Sequence, residues 1–169
     1  MERQIKILYQ NNGRVEMIIW YEYCMINEQQ IGMGGYMTIR ELTTFNLDTI
    51  LNLYSSVGWT NYTDKPGMVK KAYENSLLTL GAYDGDNLIG VIRTVGDGFS
   101  RVFVQDILGS PEYQRKGIGT QLLQEVMKRF SSVYQIGLMT DNTPKTISFY
   151  QSIGFVKADD MGCCAFIKM

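Results

Sequence analysis

The chain has 169 residues, a length that favours one domain with a substantial core over two. Lysine and arginine total 16 against 17 aspartate and glutamate, so no overall charge favours nucleic acid or an acidic membrane surface as a partner. Histidine is absent, which removes the commonest zinc ligand, and we expect no metal site. Neither a signal peptide pattern nor an apolar run of the roughly 18 residues that a membrane span needs is evident, which predicts a cytoplasmic protein without membrane association.

Residues 1–36 differ from the rest of the chain and are predicted to form an N-terminal extension. Residues 4–9 and 14–25 favour strands around the turn signal Asn11-Asn12-Gly13, which predicts a β-hairpin. A glycine-rich joint follows, and a compact domain is predicted over residues 37–169. Two further interpretations treat the extension as an arm that forms a homodimer, or as a leader ahead of a translation start at Met37.

Apolar periodicity after residue 36 predicts a mixed order of strands and helices. The predicted elements are a strand 37–42, a helix 47–57, an aromatic loop 59–62, a helix 67–75, a hairpin of strands 77–83 and 88–95, a strand 102–108, an amphipathic helix 118–130, a strand 133–139, a helix 144–153, and closing strands 155–156 and 163–168. On the last of these strands Cys163 and Cys164 point to opposite faces, and one of them is expected to pack inside.

A glycine-rich loop joins strand 102–108 to helix 118–130. Gly117 and Gly119 allow the backbone to curl so that successive N–H groups point at one anion at the positive end of a helix. Arg115 and Lys116 add positive charge, which predicts a diphosphate site. The spacing of glycines fits neither a nucleoside-triphosphate loop nor a dinucleotide fingerprint. The alternative is a turn whose glycines only relieve strain.

The loop and a second segment together resemble a known family. The spacing Gln-x-x-Gly-x-Gly from Gln114 to Gly119, after a strand and before a helix, resembles the acetyl-CoA signature of the GNAT superfamily of N-acetyltransferases. Residues 141–155, with Asn142, Phe149-Tyr150 and Gly154-Phe155, resemble the second hallmark of that family. The likeness covers about 37–169. It implies an α/β (α+β) GNAT fold, a mixed, mostly antiparallel central sheet with helices on both faces.

The resemblance also implies an activity, in which acetyl-CoA is a cosubstrate and an amine attacks its thioester directly in a ternary complex. A weaker likeness to a bacterial subgroup, distantly similar to arylalkylamine-type acetyltransferases, favours a small-molecule acceptor. The alternatives are a peptide or protein amine as acceptor, or a CoA-binding regulatory or structural module without significant catalysis. The residues expected to bind the cofactor form three groups. The strand edge at Ile107, Leu108 and Gly109 is expected to pair with the pantetheine arm, and Asn142 to hydrogen-bond the same arm. The diphosphate is expected to be bound by Gln114, Arg115, Lys116, Gly117, Ile118, Gly119 and Thr120.

Two residues are candidates for proton transfer. If the alternation of strand 102–108 is unbroken, Asp106 shares a face with Val104 and Leu108 and lies near the reaction centre, which makes it a candidate base; an ion pair with Arg93 is the alternative. Tyr150 stands where the family usually carries the acid that protonates the CoA thiolate, and core packing is the alternative.

Two aromatic residues are candidates for acceptor binding. Trp59 and Tyr62 lie between the first two helices, in a segment that helps wall the acceptor pocket in the family. Their rings suit an aromatic amine or a cation, and a surface or interface role is the alternative.

Overall fold

The computed structural model describes residues 4–11, 14–21, 27–31 and 35–168, with side chains from residue 37 onward. Strands β1 (Gln4–Asn11) and β2 (Arg14–Tyr21) form an antiparallel pair, with Asn11 opposite Arg14. This pair overlaps the predicted hairpin strands 4–9 and 14–25. The predicted turn residues 12–13, strand residues 22–25, which include Cys24, and joint residues 32–34 lie outside the described residues.

The remaining strands form one sheet, with helices between them. The elements are β3 (Asn27–Ile31), β4 (Gly35–Glu41), α1 (Leu47–Ser56), α2 (Thr60–Thr63), α3 (Pro66–Glu74), β5 (Leu78–Asp84), β6 (Asn87–Gly96), β7 (Arg101–Gly109), α4 (Ile118–Arg129), β8 (Gln135–Leu138) and α5 (Pro144–Ser152), with 3₁₀ turns at Pro111–Tyr113 and Asp159–Met161. The strands lie in the order β3-β4-β5-β6-β7-β8, and each pairs antiparallel with the next except for β7 and β8, which are parallel. This confirms the mixed, mostly antiparallel α/β fold.

Strand β3 comes from the segment predicted as an extension and pairs with β4. The sheet therefore continues across the boundary predicted between residues 36 and 37. The division into an extension and a domain, the homodimer arm and the cytoplasmic location stay predictions. None of the described helices is long and apolar enough to cross a membrane.

Local sequence signals explain where several elements begin. The Asn46 side chain accepts hydrogen bonds from the backbone N–H groups of Asp48 and Thr49, at 2.9 and 3.2 Å, and so caps α1. Pro66 opens α3, where its missing N–H costs nothing. Gly85, with φ of 58°, supplies the left-handed residue that the tight β5–β6 turn needs.

Two apolar clusters cover the two faces of the sheet. The first packs strand residues against α4 and contains Met37, Ile39, Leu78, Leu80, Ala82, Ile89, Ile92, Val102, Val104, Ile118, Leu122, Leu123 and Val126. The second packs α1 and α3 against Val91 and Leu108. The apolar stripes predicted for these helices thus form the core, as their periodicity requires.

Strand β7 changes faces part of the way along its length. Its register with β6 shifts where Arg93 lies opposite Asp106 and Thr94 opposite Val104, which leaves Gln105 as an extra residue. Val104 accordingly packs in the first cluster and Leu108 in the second. The condition of an unbroken alternation, on which Asp106 would share a face with Val104, does not hold, because a β-bulge reverses the faces on which the following side chains lie.

Two other predictions from apolar periodicity are also wrong. Residues 60–63 form the short helix α2 and not a loop. No strand forms at 155–156 or 163–168 in the described part of the chain, and Phe166 and Ile167 are 91% and 67% exposed. Cys163 and Cys164 are both exposed, so neither packs inside. Alternation favours a strand, but a strand also needs a partner edge, and its pairing is not encoded in the segment itself.

Candidate functional site

A cavity of about 310 Å³ lies where the end of β7 meets the glycine-rich loop and α1. Its described lining consists of Val57, Trp59, Ile107, Leu108, Gly109, Tyr113, Gln114, Arg115, Gly117, Ile118, Gly119 and Thr120. Nine of these residues were expected to bind the cofactor, and Trp59 was expected to contact the acceptor. The structure therefore brings the predicted cofactor loop and one predicted acceptor residue to the same cavity.

The loop backbone turns at two left-handed residues. Arg115 has φ of 63° and Gly117 has φ of 81°, and Gly117 is the N-cap of α4. No side chain in the described part of the chain caps this helix, so the N–H groups of its first turn are available to a ligand at the positive end of the helix dipole. Left-handed residues near a helix start are typical of backbone anion sites. The geometry fits a diphosphate.

Gly119 contributes differently from the prediction that both glycines allow the loop to curl. It is not left-handed, and a Cβ there would lie 3.5 Å from Phe149 Cζ and 3.9 Å from Ile107 Cδ1. The curl therefore depends on Arg115 and Gly117. Gly119 keeps space in the cavity wall, because it lies in the first turn of α4 beside the cavity.

Both cationic side chains of the loop are exposed, and neither takes part in an ion pair among the described residues. The Lys116 ammonium lies 4.5 Å from the centre of the Tyr113 ring, outside the cavity lining. The Tyr113 hydroxyl donates a 2.8 Å hydrogen bond to Asp84, and this bond raises the pKa of the phenol. Tyr113 is thus fixed against the β5–β6 turn and supports Lys116 beside the loop.

Strands β7 and β8 pair along only part of β7. Their register runs from Arg101 opposite Gln135 to Val104 opposite Leu138 and then ends. Residues 105–109 continue without a described strand on that side, so the two neighbouring strands separate there. Their free edge borders the cavity through Ile107 and Gly109. An extended ligand could therefore pair with this edge.

Aromatic rings of α1 and α2 form the opposite wall. Trp59 lines the cavity and stacks on Tyr62, with ring centres 5.7 Å apart and planes at 28°. Tyr62 in turn packs against Tyr54, with ring centres 4.9 Å apart. Tyr62 is half-buried and is not among the described lining residues. Of the two predicted acceptor residues, therefore, one faces the cavity and the other supports it.

Asp106 lies behind this wall and is 1% exposed. Its Oδ2 accepts hydrogen bonds from the Tyr54 hydroxyl at 2.9 Å and from Arg93 Nε at 2.5 Å. Its Oδ1 accepts a hydrogen bond from the Tyr62 hydroxyl at 2.9 Å. The ion pair with Arg93 is the alternative that the sequence left open for this residue. The base role stays a prediction, and the carboxylate does not border the cavity in the described lining.

The groups around Asp106 are held in single protonation states. Burial, the Tyr73 phenol and the Asp106 charge raise the pKa of Tyr54, and burial followed by the Asp106 charge raises the pKa of Tyr62. Burial alone would lower the pKa of Arg93, but the charge of Asp106 and their hydrogen bond outweigh it and raise that pKa. The tyrosines are therefore neutral donors and the arginine is a cation throughout the physiological range.

Tyr150 and Asn142 are the remaining predicted site residues. Tyr150 is half-buried beside the first cluster, and its ring centre lies 4.9 Å from that of Phe149 and 5.9 Å from that of Phe155. Burial raises the pKa of its phenol. Asn142 is exposed, and its neighbour Thr143 caps α5. Neither residue is among the described cavity lining, so their roles stay predictions.

Sequence reasoning missed two residues of the lining, Val57 and Tyr113. Val57 was predicted as the end of helix 47–57 and not as a site residue, whereas as the C-cap of α1 it lies at the cavity. Tyr113 directly precedes the predicted loop, and its hydrogen bond to Asp84 depends on a tertiary contact. Among the described residues no group of three His, Cys, Asp or Glu side chains could hold a metal ion.

A family model described as the acetyltransferase (GNAT) family matches residues 44–155. Among curated proteins, an uncharacterized ycf52-like N-acetyltransferase of Prochlorococcus marinus is 33% identical over 132 residues, which cover 75% of this chain and 71% of that protein. The residues that the family model matches include both predicted hallmarks. These similarities establish the family and leave the acceptor open.

Solved structures agree with this assignment. A GNAT family acetyltransferase of Streptococcus pneumoniae TIGR4 is 42% identical, with a TM-score of 0.72, and the match covers 79% of this chain and 97% of that one. The PaiA N-acetyltransferase of Thermoplasma acidophilum, solved in complex with coenzyme A, shares the fold at 23% identity and a TM-score of 0.60, over 71% of this chain and 89% of that one. The chain belongs to the GNAT family of acetyltransferases.

Proposed function

We propose that the protein transfers the acetyl group of acetyl-CoA to the amine of a small molecule by direct attack in a ternary complex. The observation that carries this proposal is the uncapped start of α4 after left-handed Arg115 and Gly117, at a cavity that also meets a free strand edge. One part suits a diphosphate, and the other suits the extended pantetheine arm of the same cofactor. The PaiA protein, which shares the fold, was solved with coenzyme A.

The residues divide the binding of acetyl-CoA between them. The loop from Gln114 to Thr120 holds the diphosphate through backbone N–H groups, with Arg115 and Lys116 adding charge. The free edge at 107–109 pairs with the pantetheine arm, and Asn142 hydrogen-bonds the same arm. A backbone N–H near Leu108 then stabilises the negative charge that develops on the thioester oxygen. Holding the thioester beside the amine replaces a dilute encounter with an intramolecular one.

Tyr150 acts as the acid in this proposal. As nitrogen attacks the thioester carbon, a C–N bond forms, the C–S bond breaks, and the thiolate takes the phenolic proton. The attacking nitrogen loses its proton, which restores the phenol. Because burial raises the pKa of Tyr150, the hydroxyl stays protonated at neutral pH and is available to the thiolate.

The acceptor that fits best is an amine with an apolar or aromatic body. Val57, Trp59 and Leu108 line the cavity on this side, and no acidic side chain is among the described lining residues. Asp106, which lies nearby, is already paired with Arg93. A polycation would need free carboxylates, whereas an aromatic body can stack on Trp59.

The test is release of CoA thiol from acetyl-CoA across a panel of amines, with peptide amines included. We expect turnover with aromatic or apolar primary amines. Arg115→Gln should weaken acetyl-CoA binding several-fold, whereas Lys128→Gln, which removes an exposed charge near the far end of the same helix, should not. Turnover only with peptides would refute the small-molecule acceptor, and equal effects of the two substitutions would refute the assigned loop.

A second candidate is a CoA-binding module without significant catalysis. It is favoured by the position of Tyr150 and Asp106 outside the described cavity lining. Calorimetry decides between the two functions when it is combined with the thiol assay. Tight CoA binding with no turnover on any amine, together with unchanged function of a Tyr150→Phe variant, would support the CoA-binding module.

A further inference from the structure

The short helix α2 has little of its own to hold it in place. It spans Thr60–Thr63, has no buried residue, and its N-cap residue Trp59 makes no side-chain capping bond. A helix of one turn is not stable by itself, since nucleation costs more than one turn of hydrogen bonds returns. Contacts with the rest of the molecule must therefore fix α2, and with it the Trp59 ring that walls the cavity.

Those contacts converge on Asp106. The Tyr62 hydroxyl of α2 reaches Oδ1, and the Tyr54 hydroxyl of α1 reaches Oδ2, each at 2.9 Å. Arg93 on β6 holds the same carboxylate from the sheet. Hydrogen bonds to an ionised acceptor are roughly twice as strong as neutral ones. Asp106 is thus a charged anchor that joins α1, α2 and the sheet.

The backbone of β7 places this anchor where it is. The bulge at Gln105 turns Asp106 from the face that Val104 covers to the face that carries α1 and α2. Bulges beside functional sites commonly re-aim a side chain in this way. Stability alone does not account for the arrangement, because a buried ion pair is often no better than apolar packing of the same volume.

We propose that Asp106 is a positioning residue, which fixes Trp59 against the cavity through its hydrogen bond from Tyr62. This proposal rests on the proposed function, because the wall that Trp59 forms is the wall assigned to the acceptor amine. Asp106 then acts through Tyr62 without touching the amine. Both carboxylate oxygens are already occupied, and Arg93 compensates the charge, so the side chain serves better as an anchor than as a proton acceptor.

The variant that tests this proposal is Tyr62→Phe, which removes the hydroxyl and keeps the ring that stacks on Trp59. We expect the KM for the amine to rise about tenfold, the factor that loss of one hydrogen bond to a charged group corresponds to. The KM for acetyl-CoA, kcat and the pH profile should not change. Tyr73→Phe is the matched control, because its hydroxyl reaches Tyr54 at 3.2 Å and makes no described bond to Asp106. Its KM for the amine should match that of the wild type.

A second readout needs no turnover. The chain has two tryptophans, so a Trp20→Phe background leaves Trp59 as the sole tryptophan. In that background Tyr62→Phe should increase acrylamide quenching of Trp59 fluorescence, and Tyr73→Phe should not. If wild type shows no turnover, the proposed function fails while quenching still tests the positioning. Unchanged quenching in Tyr62→Phe would overturn the positioning role of Asp106. A loss of kcat with a displaced pH profile would also overturn it, in favour of a role in proton transfer.

Discussion

Arg115 and Gly117 show how a local signal in sequence becomes a binding geometry. Both are left-handed, and only the glycine adopts that conformation without strain. Arg115 is strained at a site where its positive charge lies beside the uncapped start of α4. The spacing of the loop could be predicted from sequence, because the strand, turn and helix that define it are contiguous in the chain.

Asp106 shows the opposite case at the same scale. Its pairing with Arg93 was foreseen as an alternative, since the two residues were expected on neighbouring strands. Its hydrogen bonds from Tyr54 and Tyr62 could not be foreseen, because they join residues 52 and 44 positions away across a bulged strand. Sequence gives the residue and its strand, while the bulge decides which wall it supports.

Tyr150 carries the clearest prediction for catalysis. Tyr150→Phe should lower kcat about 100-fold, the typical contribution of a general acid, without changing the affinity for CoA. The phenol donates only while protonated, and burial raises its pKa from the usual value near 10, so wild-type kcat should not fall between pH 7 and about pH 10. Stopped-time thiol assays across that range measure both effects. Tyr134→Phe, at a side chain 90% exposed, is the control, and equal kcat in both variants would exclude the acid role.

At the scale of elements, turns hold the strands in register. Gly96 ends β6 with φ of 139°, and a Cβ there would lie 2.2 Å from the Arg101 carbonyl oxygen. Gly85 is also left-handed, but no atom of the described residues lies within 4 Å of its added Cβ. A side chain at Gly85 would therefore cause backbone strain alone, whereas one at Gly96 would add steric overlap.

Substitution of these glycines should give unequal losses of stability. Gly85→Ala should lower the free energy of unfolding by about 1 kcal/mol, the cost of a left-handed alanine. Gly96→Ala should lower it by about 3 kcal/mol, because it adds a clash with backbone that cannot move away without breaking the β6–β7 pairing. Urea unfolding of the two variants measures the difference. Similar losses would show that the Gly96 turn can open at little cost.

Asp97 makes the stability of the turn between β6 and β7 dependent on pH. Its carboxylate accepts hydrogen bonds from the Ser100 hydroxyl and from the N–H groups of Phe99, Ser100 and Arg101, and these bonds lower its pKa. A lowered folded-state pKa gives stability that is complete above the unfolded value near 3.9 and lost as pH falls below it. Asp97→Asn should therefore have a lower melting temperature than wild type at pH 7, and the gap should close toward pH 2. A melting-temperature difference that does not change with pH would show that the charge of Asp97 does not stabilise the turn.

For the whole molecule, strand order was easier to foresee than strand pairing at the end of the chain. The β5–β6 hairpin and the loop before α4 are each formed by contiguous residues, and their turn residues predict them. Residues 163–168 alternate like a strand, yet they do not pair within the described residues, and Phe166 stays exposed. Alternation reports what a segment could do, whereas pairing depends on an edge supplied from elsewhere in the fold.

The cavity was foreseen from the cofactor side and much less from the acceptor side. Loop residues from Gln114 to Thr120 are consecutive, and all but Lys116 line it. The acceptor wall combines the adjoining ends of α1 and α2 with the end of β7, which lies about 50 residues further along the chain. Its composition therefore depends on how the two apolar clusters pack, and periodicity alone does not specify that packing.

The most direct test of the account is calorimetric comparison of acetyl-CoA with S-acetylpantetheine, which carries the same thioester and arm but lacks the diphosphate and the adenosine 3′-phosphate attached to it. If backbone N–H groups at the start of α4 hold the diphosphate, acetyl-CoA should bind at least about 100-fold more tightly, since charge-assisted bonds are the stronger part of such a site. Equal affinity for the two ligands, or no binding of acetyl-CoA at millimolar concentration, would contradict the claim that this loop is a diphosphate cradle.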